Sequence, residues 1–291
     1  MATPENAITK EDMAFALDVE LARAFDEDAD ILAGILGVST IETMPAGATL
    51  RQYKVTGSLN KADRAEGDEI PLSHFKEEAG DPITLVSKDY RKLTTKEAIL
   101  KSGYEHAVTR TDDKAVKLVR KDILDEFYGY LKNGTGTATG KNLQAVLAQA
   151  DAALDVALEE NADSTEGKVY FVNRLDIADY LAEHNITLET VFGLQYLVGF
   201  LGLNGTVILT SAVPQGTVYV TAQENLRIFN QDFGALSMAG LDYEVSDSGL
   251  IGVHHEPDYK RASTETFITT GMTVFPEAVN YIIKGTIAQT A

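Results

Sequence analysis

The stretch DDKAVKLVRKDILDEFYGYLK, residues 112–132, carries the strongest helical pattern in the chain. Val116, Val119, Ile123, Phe127 and Leu131 recur at steps of three and four on one face, which Leu118, Leu124 and Tyr128 widen. Thr111 is the predicted N-cap, with Asp112 and Asp113 at the positive end of the helix dipole. Lys132, Asn133 and Gly134 supply the opposite end and a left-handed stop. Such a helix runs about 32 Å, long enough to serve as the backbone of a subunit.

Working outward toward the C-terminus, the glycine- and threonine-rich run GTGTATG, residues 134–140, reads as a link and as the clearest internal boundary. A helix over residues 142–160 follows, then the strand KVYFV (residues 168–172) and the helix RLDIADYLAEH (residues 174–184). TVILTSAVPQGTVYVTA, residues 206–222, reads as a strand pair turning at Pro214-Gln215-Gly216. Further strand patterns are LRIF, YEVSD, LIGVHHE, ETFITTGMTVF and VNYIIKGTI. Helices and strands mix without a βαβ period, which predicts an α+β fold and not a doubly wound sheet.

On the N-terminal side, the first 45 or so residues form an acidic segment in which Phe15, Val19, Ala22 and Phe25 keep a helical period. This is either a first helix packed on the chain's own core or an arm reaching a neighbouring subunit. TLRQYKV, residues 49–55, alternates as a half-buried strand. The polar run TGSLNKADRAEGDE (residues 56–69) follows, and Ile70, Leu72 and Phe75 alternate again before an expected turn at Gly80-Asp81-Pro82. The pattern is a long two-stranded ribbon with a hydrophilic tip. A lone ribbon is marginal in water, so it is either a flexible surface hairpin or an element that packs on a partner subunit.

Composition narrows the function classes. The chain of 291 residues has no Cys and no Trp, which removes disulfides, thiolate metal sites and cysteine nucleophiles. Neither a secretory signal nor a run of about 20 apolar residues is present, so no membrane association is expected. The net charge is -19, and a chain this acidic does not bind nucleic acid tightly. Of the 25 basic residues, 16 fall within residues 51–132, which is charge-balanced between two acidic flanks. That distribution suits a surface docking on acidic copies of the same chain. The expected intersubunit contacts are Lys54, Lys61 and Arg64 on the ribbon and Lys114, Lys117, Arg120 and Lys121 on the long helix. For the helix set the simpler reading is a solvated face.

The run TVILTSAVPQGTVYVTAQENLRIF (residues 206–229) resembles a segment common in tailed-bacteriophage major capsid proteins. VYFVNRLDIADYL (residues 169–181) is similar to the segment just upstream in that family, and LIGVHHEPDYKRASTETFITTGMTVFPEAVNYIIKGTI (residues 250–287) looks like its closing strands. The order of elements matches over essentially the whole chain. The resemblance implies the Johnson fold: an arm over residues 1–46, an extended loop over 47–92, a peripheral domain over 93–134 and 257–291, and an axial domain over 135–256. It implies a shell subunit, assembled in the host bacterial cytoplasm and resident in the virion. Its partners would be itself in pentamers and hexamers, a separate scaffolding protein, a portal protein, and packaged double-stranded DNA in loose contact. An encapsulin-type compartment shell shares the fold and is the alternative; an α+β enzyme is a remote one.

Other motifs carry less. GTGTATGK lacks the spacing of a phosphate loop, since Thr135 stands five before Gly140 and Asn142 follows Lys141. His254 and His255 are adjacent on a predicted strand, point to opposite faces and so do not share one ion. No catalytic set and no cofactor is expected. Lys61 and Asn60 lie near the ribbon tip with nothing that marks a crosslink.

Overall fold

A computed structural model describes residues 10–27, 30–45, 47–61, 69–183, 189–191, 194–196, 205–275 and 278–288. The first part of the chain gives α1 (Lys10–Glu27), α2 (Asp30–Val38), β1 (Thr40–Met44), β2 (Thr49–Ser58), β3 (His74–Thr84), β4 (Lys88–Thr95), α3 (Lys96–Ser102) and α4 (Arg110–Leu131). The middle gives β5 (Gly136–Gly140), α5 (Leu143–Glu160), β6 (Lys168–Asn173), α6 (Arg174–Glu183), β7 (Glu189–Val191), β8 (Leu194–Tyr196), β9 (Gly205–Thr210) and β10 (Thr217–Ala222). The last part gives β11 (Arg227–Gln231), α7 (Phe233–Met238), β12 (Glu244–Val245), β13 (Ile251–Asp258), β14 (Ser263–Thr270), β15 (Met272–Phe275) and β16 (Ile282–Ile287).

The predicted helical face is the buried one. Val116, Val119, Ile123, Phe127 and Leu131 of α4 lie in a core with Leu21 and Phe25 of α1, Leu32 and Ile35 of α2, and Ile251, Val253 and Ile268 of the sheet β12–β13–β14–β4. Each such side chain contributes about 1.5–3 kcal/mol by leaving water. Phe127, Tyr128 and Phe171 form a trio with centroids 5.4 to 5.9 Å apart. The acidic N-terminal helix therefore packs on its own chain's core from Asp18 to Phe25; the Phe15 side chain lies outside the described residues.

The start of α4 differs from expectation. A short π-helical segment, Glu105–Thr109, runs directly into it, so no cap position exists at Thr111. The Thr111 hydroxyl instead donates back to the carbonyls of Ala107 (2.9 Å) and Val108 (2.8 Å). Asp112 is not at a solvated helix end but fully buried.

A second core lies under α5. The five-stranded sheet β5–β16–β10–β6–β9 presents Tyr170, Val172, Val207, Val218, Val220 and Ile283 to Val146, Leu147, Ala150 and Leu154. The alternate residues Val169, Phe171 and Tyr219 face the first core. Strand β6 is thus buried on both faces, which is why KVYFV reads as a continuous apolar run. Asn142 caps α5, accepting from the Ala145 amide at 2.8 Å. At its other end Ala162 takes the left-handed position (φ 56°) of a closed cap, where the amides of Ala162 and Asp163 bond Glu159 O (3.1 Å) and Leu158 O (3.0 Å). A Cβ there is strained. Ala162→Gly is expected to stabilise the chain by about 1 kcal/mol, read as a higher urea midpoint; an unchanged or lower midpoint contradicts it.

Three sequence expectations are corrected here. The glycine-rich link is a strand: β5 pairs parallel with β16, Gly136 opposite Ile283 and Gly140 opposite Ile287. Its glycines serve close approach, because a Cβ on Gly136 would meet Ile283 Cδ1 at 2.1 Å and one on Gly140 the Val146 amide nitrogen at 2.5 Å. The strands flanking Pro214-Gln215-Gly216 are not a hairpin, since β6 lies between them, parallel to β9 and antiparallel to β10. Gly80-Asp81-Pro82 is not a turn: β3 runs through it, and the register slips there by one residue between Arg51 and Tyr53. The slip is a β-bulge.

Candidate interaction surfaces

Among the described residues, strands β2 and β3 pair with each other alone and form the ribbon. Its root is anchored, with Leu50 and Ile83 packing on Met44, Leu85, Phe229 and Phe275. Beyond the bulge, the antiparallel register places Tyr53 opposite Ala79, Val55 opposite Glu77 and Gly57 opposite Phe75 on one face. The Phe75 ring lies over Gly57, where a Cβ would meet it at 2.4 Å. The alternate pairs Thr56–Lys76 and Ser58–His74 make a polar face. The ribbon is amphipathic, yet Tyr53, Val55 and Phe75 keep 60%, 63% and 56% of their surface in solvent. Leu59, Ile70 and Leu72 beyond them are also exposed. At the root, Arg51, Tyr53 and Val55 form one wall of an open cleft whose other wall includes Asn161, Asp163, Phe275, Ala278 and Tyr281.

The cationic residues singled out in the sequence separate into distinct groups. Lys114, Lys117 and Lys121 are exposed on α4, and Lys121 pairs with Asp125 at 3.2 Å. Lys54 lies on β2 in register with Glu78, Lys61 is exposed at the end of the described ribbon, and Arg64 lies outside the described residues. Arg120 is corrected: it belongs to no solvated strip. It is buried, stacks on the Phe25 ring at 5.3 Å, and donates to the carbonyls of Ala24 (2.9 Å) and Phe25. Those carbonyls belong to the last turns of α1, which a helix leaves without internal donors.

Sequence reasoning also missed a buried ionic cluster. His255 of β13 points inward and its Nδ1 meets Asp18 of α1, while Nε2 meets Asp112 of α4 at 3.2 Å. Lys92 of β4 pairs with the other Asp112 oxygen and donates to Thr111 Oγ1 (2.6 Å) and Val108 O (3.1 Å). Burial alone pushes the imidazole pKa down, but its bonds to Asp112 and Asp18 override this and raise it to about 9. Asp112 is pushed up by burial and pulled further down by His255 and Lys92, ending below the ordinary carboxylate value. With both ring nitrogens facing carboxylates, the imidazole is doubly protonated and donates to each. His254 points to the opposite face, beside Tyr243 and Phe267. Among the described residues, no group of His, Cys, Asp and Glu is arranged to hold a metal ion, and no helix is long and apolar enough to cross a membrane.

The whole arrangement has counterparts among solved structures. The chain is similar to one of the satellite phage P4 procapsid, with 14% identity and a TM-score of 0.51 over 100% of this chain and 94% of that one. It is similar to the bacteriophage PhiM1 mature capsid (10% identity, TM-score 0.54, 88% and 87% covered). It is also similar to the holo-SrpI encapsulin complex from Synechococcus elongatus (9% identity, TM-score 0.54, 90% and 89% covered). No protein-family model and no curated protein matches the chain. At these identities the likeness is one of fold. The chain has the mixed helix-and-sheet fold shared by tailed-phage capsid and encapsulin shells, the Johnson fold.

Proposed function

We propose that this chain is the major capsid protein of a tailed phage, which assembles with copies of itself into the icosahedral shell around a double-stranded DNA genome. The observation that carries the reading is the ribbon. Three apolar side chains on one face stay more than half exposed, on an element that is only marginal by itself. A subunit whose contacts are completed by its neighbours accounts for that face; an isolated enzyme has no use for it. The solved capsids of the same fold support the reading over nearly the whole chain. The work of the protein is then structural and not catalytic. In this reading residues 1–46 are the arm, with α1 from Asp18 and α2 folded back on their own chain's core, 47–92 the extended loop, 93–134 with 257–291 the peripheral domain and 135–256 the axial domain. One amendment to that division is proposed: β16 goes with the axial sheet to which it is hydrogen-bonded. A scaffolding protein, a portal and packaged DNA are the partners this role requires, with the virion as its location. Lys54, Lys61, Arg64, Lys114, Lys117 and Lys121 are proposed as cations meeting acidic surfaces of neighbours.

Electron microscopy of particles from the expressed chain tests the reading. The expected result is closed icosahedral shells, larger and DNA-filled when portal and packaging genes are supplied. Only monomer at every concentration and ionic strength overturns the shell role. Small closed shells loaded with a protein cargo favour the encapsulin-type alternative. The charge component predicts lower yield as salt rises from 0.1 M to 1 M, where the Debye length falls from about 10 Å to about 3 Å; a flat yield removes it.

A further inference from the structure

The five-stranded sheet β5–β16–β10–β6–β9 has two unlike edges. Strand β9 is buried from Val207 to Thr210, whereas Thr137 and Thr139 on β5 are exposed. Gly140 stands beside Ile287 in the parallel register, and its carbonyl accepts from the Ala288 amide at 2.8 Å. Alternation then turns the main-chain groups of Gly136, Ala138 and Gly140 toward β16 and those of Thr137 and Thr139 away from the sheet. Among the described residues, no hydrogen bond reaches these four outward N–H and C=O groups. A sheet edge of this kind is a template for another strand unless charge, proline or a bulge blunts it. Other exposed edges are blunted, by Glu42 on β1, Glu244 on β12 and Lys88, Asp89, Arg91 and Lys92 on β4. Strand β5, Gly-Thr-Ala-Thr-Gly, has none of these.

We propose that the β5 edge is a strand-addition site on which an extended, acidic segment of a second copy pairs. The site rests on the shell reading and adds a contact separate from the ribbon. Charge names the kind of segment. Residues 127–150 hold no acidic residue, in a chain that has 44. Lys132 and Lys141 bracket β5 in sequence, and Lys284 is the register neighbour of Thr137. All three are exposed, and none is in an ion pair among the described residues. Copies of a chain of net charge -19 bring the carboxylates that these lysines lack. Main-chain bonds supply the affinity in strand addition, and flanking side chains supply the selectivity. Like charge opposes the symmetric alternative, two β5 edges paired antiparallel, because it brings the Lys132 end of one strand to the Lys141 end of the other.

Hydrogen–deuterium exchange on the unsubstituted chain tests the site. In free subunits the Thr137 and Thr139 amides are expected to exchange fast, with those of Gly136, Ala138 and Gly140 slow. In assembled particles both threonine amides should slow at least about tenfold. Particles that form while these two amides keep the free rate overturn the site and leave the shell role intact. Slowing that appears only when DNA or another protein is present overturns the second copy as the occupant. Failure of the chain to form particles overturns the shell role, and the site with it. Thr137→Pro removes one outward N–H and no ladder bond. It is expected to fold, by circular dichroism, and to lower particle yield at least about tenfold relative to Thr137→Val; equal yields overturn the site. Lys132→Glu/Lys141→Glu/Lys284→Glu is expected to abolish the slowing in particles, and slowing that survives overturns the acidic character of the segment.

Discussion

Replacing His255 with alanine is expected to cost about 3–5 kcal/mol of folding stability, because it leaves Asp18 and Asp112 buried around an absent cation. That is a large share of the 5–15 kcal/mol a typical domain has. The loss carries a pH signature that simple cavity formation lacks. The folded pKa of His255, about 9, lies above its ordinary value of 6.5. Its contribution is therefore fully present below pH 6.5 and is lost as pH rises through about 9. Asp112 has the opposite sign: its pKa is lowered, so its contribution is present at neutral pH and lost as pH falls through the depressed value. Urea midpoints at several pH values between 6 and 10 check this. The unsubstituted chain should lose stability across that range more steeply than His255→Ala. Parallel curves for the two would show that the imidazole is not charged in the folded state, and the account of the cluster would fall.

The same cluster marks the limit of what the sequence discloses. Alternation along β13 puts His255 on the side of Ile251 and Val253, so an inward histidine is legible. Its partners are 237 and 143 residues away, and only the packing of α1 and α4 brings them together. Arg120 was readable in part. It stands four after Val116 and three before Ile123, on the buried face, whereas its charge alone places it with its lysine neighbours. The carbonyls it serves belong to α1, and α4 alone gives no sign of them.

Elements whose signal is local periodicity came through: α4, α5, the doubly buried β6 and the ribbon. Errors arose where one residue type serves two physical ends. Glycine in residues 134–140 signals flexibility in a link and close approach in a strand, and the difference is set by Ile282, Ile283 and Val146 pressing on it. Pro214-Gln215-Gly216 does make a tight turn, with the Thr217 amide on Pro214 O at 3.1 Å. A turn fixes chain direction and not the identity of the neighbouring strand, and β6 takes the place between. Over residues 80–82, Gly, Asp and Pro fit a bulge in a twisted ribbon as well as a turn.

The ribbon supplies the second large effect. The double variant Val55→Asp/Phe75→Asp is expected to keep its folded core and to form no particles. Both side chains are more than half exposed and neither belongs to a core cluster, so the cost to the monomer is confined to the ribbon, about 1 kcal/mol from the carboxylate set opposite Glu77 and the lower strand preference of Asp. In a shell the same two positions are covered. Each loses up to about 1.5–3 kcal/mol of apolar burial and gains a carboxylate that must be desolvated. The penalty recurs at every ribbon contact, so a few kcal/mol per contact is enough to remove closed particles from the population. Thr56→Asp/Ser58→Asp on the polar face should assemble far closer to the unsubstituted level, since it adds the same charge where solvent is retained. Analytical sedimentation of the two variants, beside circular dichroism for folding, reads the comparison. Normal particles from Val55→Asp/Phe75→Asp would mean that the exposed apolar face has no partner, and the reading of the chain as a shell subunit would lose its main physical support.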